Sequence, residues 1–405
     1  MKPKRSTSLA RAAARRVSTI EPFEVMEILS RAQALEAAGR AVVHLEIGEP
    51  DFTAPPAVVE AGVRALRAGM TAYTAALGLP ALREAIAAHY GARFGVQVSP
   101  ARIAVTAGAS GALLLVMALY VDRDDEVLVP DPGYPGYRQF VRAFEGRPRA
   151  LNVSAETAFQ PTLEAVAAAW GPRTIGLLLG SPANPCGTVI AETELRRIAE
   201  FIAARGGVLI VDEIYQGLVY GRAPVTAARL PGEVVLVNSF SKYFCMTGWR
   251  LGWATLPESA MRGLEKLAQH LFICPSSAAQ HAALAAFSPA SLAELETRRT
   301  AFEGRRDFLV PALEAAGLHI PAPPQGAFYV YADCSAVSRD ARAFALDLLQ
   351  REAVAVTPGA DFGRNATQHF VRFAYTRGLP ELEEAAQRLA RFCAEAPRRG
   401  SLREA

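Results

Sequence analysis

A chain of 405 residues, 51% hydrophobic and 20% charged, has the length for two or three domains and enough apolar surface for a core. Its formal net charge of +3 gives no reason to expect nucleic acid or a membrane surface as the main partner. The five cysteines (Cys186, Cys245, Cys274, Cys334, Cys393) lie far apart and form no CxxC pair, which argues against a disulfide scaffold and a structural zinc site. Reduced thiols in a cytoplasmic protein are expected, with no metal.

Residues 1–16, MKPKRSTSLARAAARR, are basic with no acid and read as a solvated arm, although a transit peptide has the same composition. The segment 17–45 is expected to pack with the far end of the chain, since chain ends often lie close together. From residue 102 a unit recurs: a β-branched apolar run, a Gly/Pro/Asn/Asp turn, then a helical stretch. The runs are RIAVTAG (102–108), DEVLVPDPG (125–133), TIGLLLGSPANPCG (174–187), GGVLIVDEIY (206–215) and EVVLVNSFSK (233–242). Nearly continuous Val, Ile and Leu is how strands buried on both faces of a parallel sheet read. TLEAVAAAW (162–170) and ETELRRIAEFIAARG (192–206) show helical spacing, the second stopping at Gly206. Ala112 to Val121, the most apolar stretch, is too short to span a bilayer and suits a buried helix.

A long polar helix is expected over about 288–317. After it come AFYVYADC (327–334), VAVTPG (354–359) and HFVRFAY (369–375), interleaved with helices at 339–351 and 379–395. The expected fold class is α/β. A large domain, 46–314, has a mostly parallel central sheet flanked by helices, and both chain ends, 17–45 and 315–405, form a smaller α+β domain.

Open α/β sheets bind ligands beyond the carboxyl ends of their strands. That rule selects Gly108–Ser110, Pro132–Tyr134, Asn184, Asp212 with Tyr215, and Ser239–Lys242. Lys242 follows an apolar strand, where a lysine is costly to bury unless paired or deprotonated, and a desolvated lysine is a natural Schiff-base residue. Ser239, Ser241 and Arg250 beside it could nest a phosphate. Gly108, Ala109 and Ser110 would present backbone N–H groups at a helix N-terminus. Lysine and phosphate nest together suggest an aldehyde-bearing phosphorylated cofactor. Asp212 could pair with a protonated pyridine nitrogen; Tyr215 and Asn184 could reach a phenolic oxygen on the same ring, and Asn184 could instead reach a substrate carboxylate. Tyr134 could stack on it, and Arg372 could clamp a substrate α-carboxylate.

Each residue has a plainer reading. Lys242 could be a surface lysine, Asp212 and Ser110 caps, Asn184 ordinary turn chemistry, Tyr134 core, and Arg372 part of a structural ion pair. Ser239 to Lys242 also fits the S-x-x-K motif of β-lactamases, but the SDN and KTG strings that accompany it do not occur, nor does a Walker A loop.

Taken together, SFSK…TGWRLGW (239–253), SPANPCG, VDEIY and AYTAALGLPALREA (72–85) resemble the fold-type I pyridoxal-phosphate (PLP) aminotransferases of class I/II, from EIGEPDF (46–52) to VRFAY (371–375). The resemblance implies a PLP-binding large domain, with Lys242 as Schiff-base lysine and proton shuttle. It implies Asp212 as the pyridinium partner, with Tyr215 and Asn184 on the phenolic oxygen. Ser239, Ser241, Arg250 and the backbone of Gly108, Ala109 and Ser110 would hold the phosphate, and Tyr134 would stack on the ring. Arg372, with the backbone at Gly48, would receive the α-carboxylate. Tyr73 would reach the phosphate from a second subunit, which implies a homodimer with shared sites. The implied reaction is a ping-pong transfer of an amino group from an amino acid to a 2-oxo acid. A C–S β-lyase or other fold-type I PLP enzyme, such as a decarboxylase, and a PLP-binding regulatory domain share the cofactor motifs and stand as alternatives. Cys186 replaces the family's usual Thr, and Ser110 stands where some dicarboxylate-specific members carry Lys. That change puts aspartate specificity in doubt and leaves room for neutral or aromatic donors.

Overall fold

The computed structural model describes residues 13–230 and 234–395. Most of the basic arm expected over 1–16 therefore lies outside the described residues. Within them, the strands in chain order are β1 (Val43–His44), β2 (Ile103–Thr106), β3 (Glu126–Asp131), β4 (Arg147–Asn152), β5 (Thr174–Gly180), β6 (Val208–Asp212), β7 (Val234–Ser239), β8 (Gly252–Thr255), β9 (Tyr329–Asp333), β10 (Val354–Ala355), β11 (Thr357–Pro358) and β12 (Phe370–Ala374).

Seven of them form one sheet in the order β2-β8-β7-β6-β5-β3-β4. Only β8 runs against the rest, antiparallel to both β2 and β7. The apolar runs become strands because both faces are covered. Alternate residues of one strand enter different cores: Leu177 and Leu179 pack on one face and Leu178 on the other, as do Leu209 and Val211 against Ile210. The helix Glu192–Ala203 covers one face with Leu195, Ile198, Ala199 and Ile202, the three-to-four spacing read from the sequence. The helix Gly108–Tyr120 covers the other, packing on β7 and β8.

Two strands depart from the pattern. β4 is a polar, mostly exposed edge strand with no apolar run to announce it. β8 lies within the TGWRLGW motif and runs antiparallel to β7; the connection between them, 240–251, carries Lys242 and the 3-10 turn Thr247–Trp249 but no α-helix that would cross the sheet and bring the chain back in parallel.

Near the chain ends, β1 pairs in parallel with β10, and β11, β12 and β9 form an antiparallel sheet. The helix Pro289–Ala315 runs alongside both regions, and its Arg305 grips both carboxylate oxygens of Asp51 at 2.8 Å, fixing the segment after β1. A second tie joins the C-terminal end of β3 to the loop 361–365. Asp131 accepts from the N–H groups of Arg364 (2.9 Å) and Asn365 (3.1 Å), and the N–H of Gly133 donates to the Phe362 carbonyl (2.9 Å).

Candidate active site

The carboxyl ends of the parallel strands meet the 46–48 segment and the 361–362 loop around a cavity of about 300 Å³. Asp212 ends β6, and Ser239 ends β7 with Ser241 and Lys242 just beyond. Asn184 follows β5, and Tyr134 follows β3. The cavity is lined by all of these and by Gly48, Ala109, Ser110, Tyr215, Arg250 and Arg372. Two predicted residues stand apart. Gly108 lies behind the wall, at positive φ, so close to Arg250 that a Cβ there would meet its Nη2 at 2.6 Å. Tyr73 is 80% exposed and does not join the cavity of its own chain.

Lys242 donates from Nζ to the Gly48 carbonyl at 2.7 Å. Burial pushes its pKa down to about 8, with the Arg372 and Arg250 charges adding to the effect and Glu49 opposing it. Its amine is thus far easier to deprotonate than that of a surface lysine. Gly48 is required for a steric reason, since a Cβ would sit 1.7 Å from the Tyr329 hydroxyl. Asp212, 3% exposed, has its pKa pushed up to about 6 by burial. Its carboxylate accepts from the Tyr137 hydroxyl (2.8 Å) and the Ile214 N–H (3.1 Å), so it also caps its own turn.

Arg250 occupies the left-handed region (φ 52°), a conformation with a cost for a non-glycine residue. It is exposed to the cavity mouth, and Nη1 donates to the Thr247 carbonyl at 2.9 Å. Ser239 Oγ accepts from the Ser241 N–H at 3.0 Å. The helix that begins at Gly108 has Ala107 as N-cap and no side-chain cap, so Ser110 is not its cap.

Arg372 is 5% exposed. Nη1 donates to Asn184 Oδ1 (2.9 Å), and Nη2 to the Glu46 carbonyl (2.5 Å) and Thr357 Oγ1 (3.2 Å). Its guanidinium lies 4.3 Å from the Tyr329 ring centroid and 4.8 Å from that of Phe362. Its buried Nε has no hydrogen-bond partner, and among the described residues no salt bridge reaches this charge. A buried cation whose direct partners are all neutral, with Asp361 acting on it only at a distance, is costly, and it is ready for an anion.

The model of aminotransferases of class I and II matches residues 40–389. The chain belongs to this family. A valine–pyruvate aminotransferase of Mycobacterium tuberculosis is 39% identical over 91% of this chain and 96% of its own length. An aspartate aminotransferase of Geobacillus stearothermophilus is 35% identical over 94% and 98%. Among solved structures, an aminotransferase from Mycobacterium tuberculosis matches with a TM-score of 0.91 at 38% identity, over 95% of this chain and all of that one. The aspartate aminotransferase of Thermus thermophilus with maleate matches with a TM-score of 0.90 at 35% identity, with the same coverage. The protein is therefore an aminotransferase, a transferase acting between amino acids and oxo acids.

The aminotransferase site contains residues that sequence reasoning passed over. Tyr137 stands three positions after Tyr134 in DPGYPGY, one helical turn on, and that spacing was the available signal. Tyr329, whose hydroxyl bonds that of Tyr215 at 2.9 Å, was read only as part of a strand. Phe23, Val25 and Met26 near one chain end, and Asp361 and Phe362 near the other, also line the cavity. No local pattern marks them.

Proposed function

We propose that the enzyme binds pyridoxal 5′-phosphate in this cavity and uses Lys242 to hold it. The observation that carries the reading is one cavity shared by Lys242 and the buried Arg372, which no salt bridge reaches among the described residues and whose Nε has no partner. The residues fit the group. An exposed guanidinium (Arg250), two serines and a helix N-terminus offer an anion nest at one end. A buried carboxylate lies at another wall, with the amine as a further point. Bound there, the cofactor supplies a reactive aldehyde carbon and an electron-accepting ring.

The chain's own residues do the rest. Lys242, as neutral amine, would take the proton from the substrate α-carbon and pass it to the carbon that the cofactor's aldehyde supplies, and would run the same transfer backwards in the opposite half-reaction. Asp212, shielded from water, holds a positive ring nitrogen, and Tyr137 orients that carboxylate. Tyr215 and the free amide nitrogen of Asn184 are donors for the phenolic oxygen; Oδ1 of Asn184 is taken by Arg372. Tyr134, on the cavity wall, would stack on the ring. Arg372 receives the α-carboxylate, with the Gly48 backbone beside it. Tyr73, exposed on this chain, would reach the phosphate of a second copy in a homodimer with shared sites.

The pairing of β1 with β10 supports a small domain built from 17–45 and 315–405 around a large one of 46–314. Five free cysteines support a reducing, cytoplasmic setting. No helix among the described residues is long and apolar enough to cross a membrane.

Absorption spectroscopy with Lys242→Ala as control tests the reading. The wild type loaded with PLP is expected to show a visible band that an amino acid discharges and a 2-oxo acid restores. Lys242→Ala should lack the band and lose about 10²–10⁴-fold in rate from proton transfer alone. The same band in the variant would refute the assignment of Lys242.

A further inference from the structure

We propose that the outer part of this cavity selects amino acids with uncharged, apolar side chains, and that the segment Phe23–Met26, anchored by Asp361, sets that selection. The proposal rests on the cofactor and carboxylate assignments above and names the substrate class of the same site.

The position of the wall relative to Arg372 is the starting observation. The Phe362 ring packs against the Arg372 guanidinium, so a substrate whose α-carboxylate sits on Arg372 lies beside the 361–362 loop, within reach of the wall that this loop shares with Phe23 and Met26. Asp361 Oδ1 accepts from the Glu24 N–H at 2.9 Å, which joins that loop to the start of the helix Glu24–Ala37. The same turn places Phe23, Val25 and Met26 on the cavity, and Phe23 stacks on Tyr134 with ring centroids 6.2 Å apart. Ile47 and Leu113 extend the apolar surface.

Charge points the same way. Among the described residues of one chain, the cations lining the cavity are Lys242, Arg250 and Arg372, and each has a partner in the assignment above. The remaining charged groups there are acids. Glu46 turns its carboxylate to His44 at 2.7 Å and offers the cavity its carbonyl, and Asp361 lines it with Oδ1 held by the Glu24 N–H and its pKa raised by burial. A distal carboxylate on the substrate would meet apolar walls and an acid, and would lose its hydration without a counter-charge. An apolar side chain gains by burial there, and one methylene in such a pocket changes discrimination by about tenfold or more. Because both half-reactions use one site, the acceptor 2-oxo acid obeys the same rule. Asp361 is a positioning residue: it touches the segment, and the segment touches the substrate.

The test measures kcat/KM of the PLP-loaded full-length enzyme for alanine, 2-aminobutyrate, norvaline, aspartate and glutamate, and for pyruvate against 2-oxoglutarate. The expected series rises about tenfold per added methylene from alanine to norvaline, with both dicarboxylates below norvaline and 2-oxoglutarate below pyruvate. Phe23 and Met26 are both partly exposed, so Phe23→Ala with Met26→Ala leaves the core intact. The norvaline-to-alanine ratio should fall about tenfold in that double variant. Asp361→Ala should lower the ratio through KM more than kcat, and Asp361→Asn, which keeps an acceptor oxygen, should restore it. A preference for aspartate or 2-oxoglutarate, or an equal loss for every donor in the variants, overturns this proposal while leaving the cofactor reading intact. A wild type with no cofactor band overturns both.

Discussion

The two ends of the cavity are built differently. The inner end, with Lys242, Asp212, Ser239 and Ser241, stands on the tips of parallel strands buried on both faces. The outer end is assembled from residues 23–26, 46–48 and 361–362, which come from near the two chain ends and are held by a few hydrogen bonds, such as that from Glu24 to Asp361. The inner end serves steps common to every amino donor, so it belongs on the rigid frame. The outer end reads what differs between donors, and its parts can change without disturbing the sheet.

Arg372 bridges the two ends, and altering it should have the largest effect. Arg372→Leu is expected to lower kcat/KM by about 30- to 5000-fold, as for loss of one partner of a buried, hydrogen-bonded charge pair, with KM rising for donors of every side chain. A loss confined to one donor class would place Arg372 in side-chain recognition and blur the distinction between the ends.

Tyr137→Phe addresses the inner end alone. The Tyr137 hydroxyl stabilises the Asp212 carboxylate, so its removal should raise the Asp212 pKa further above 6. A hydrogen bond to a charged group is worth about 1.5–3 kcal/mol, which corresponds to a rise of one to two pH units in the apoprotein, readable by carboxylate NMR. The norvaline-to-alanine ratio should not move. A change in that ratio would show that the ends are coupled.

The smallest effect concerns stability. Lys242 has a folded-state pKa of about 8 against its ordinary value of 10.5, so between those limits the unfolded chain binds more protons than the native one. Stability of the apoprotein should therefore rise as pH climbs through this window. At neutral pH, Lys242→Met should stabilise the apoprotein by about 1–3 kcal/mol. Denaturant melts at pH 7 and pH 10 check this; a pH-independent difference between wild type and variant would mean that Lys242 carries no burial cost.

The same contrast explains what was legible in the sequence. The inner end was readable because its strands are continuous Val, Ile and Leu, and because Asp212 and Lys242 are out of keeping with such runs. The edge strand β4 was not, since RPRALN is exposed and polar and carries neither period. Phe23, Met26, Asp361 and Phe362 were invisible for a different reason. Each is unremarkable in its own neighbourhood, and the hydrogen bond that unites the two groups spans 337 residues. Tyr137 was within reach, but a second tyrosine in a short motif reads as packing until a buried carboxylate is found beside it.

The carbonyls of Glu46 and Gly48 have a consequence for how the enzyme is made. They hold Arg372 and Lys242 across 326 and 194 residues of chain. Contacts of such sequence separation form late, because loop closure must precede them. During synthesis the main sheet has all of its strands once residue 255 has emerged, yet Arg372 is still to come. A chain arrested between those points would carry a nearly complete scaffold with its amine and carboxylate in place and its substrate clamp missing. Acquisition of activity should therefore lag behind burial of the sheet, and a pulse-labelled refolding experiment would see the two as separate events.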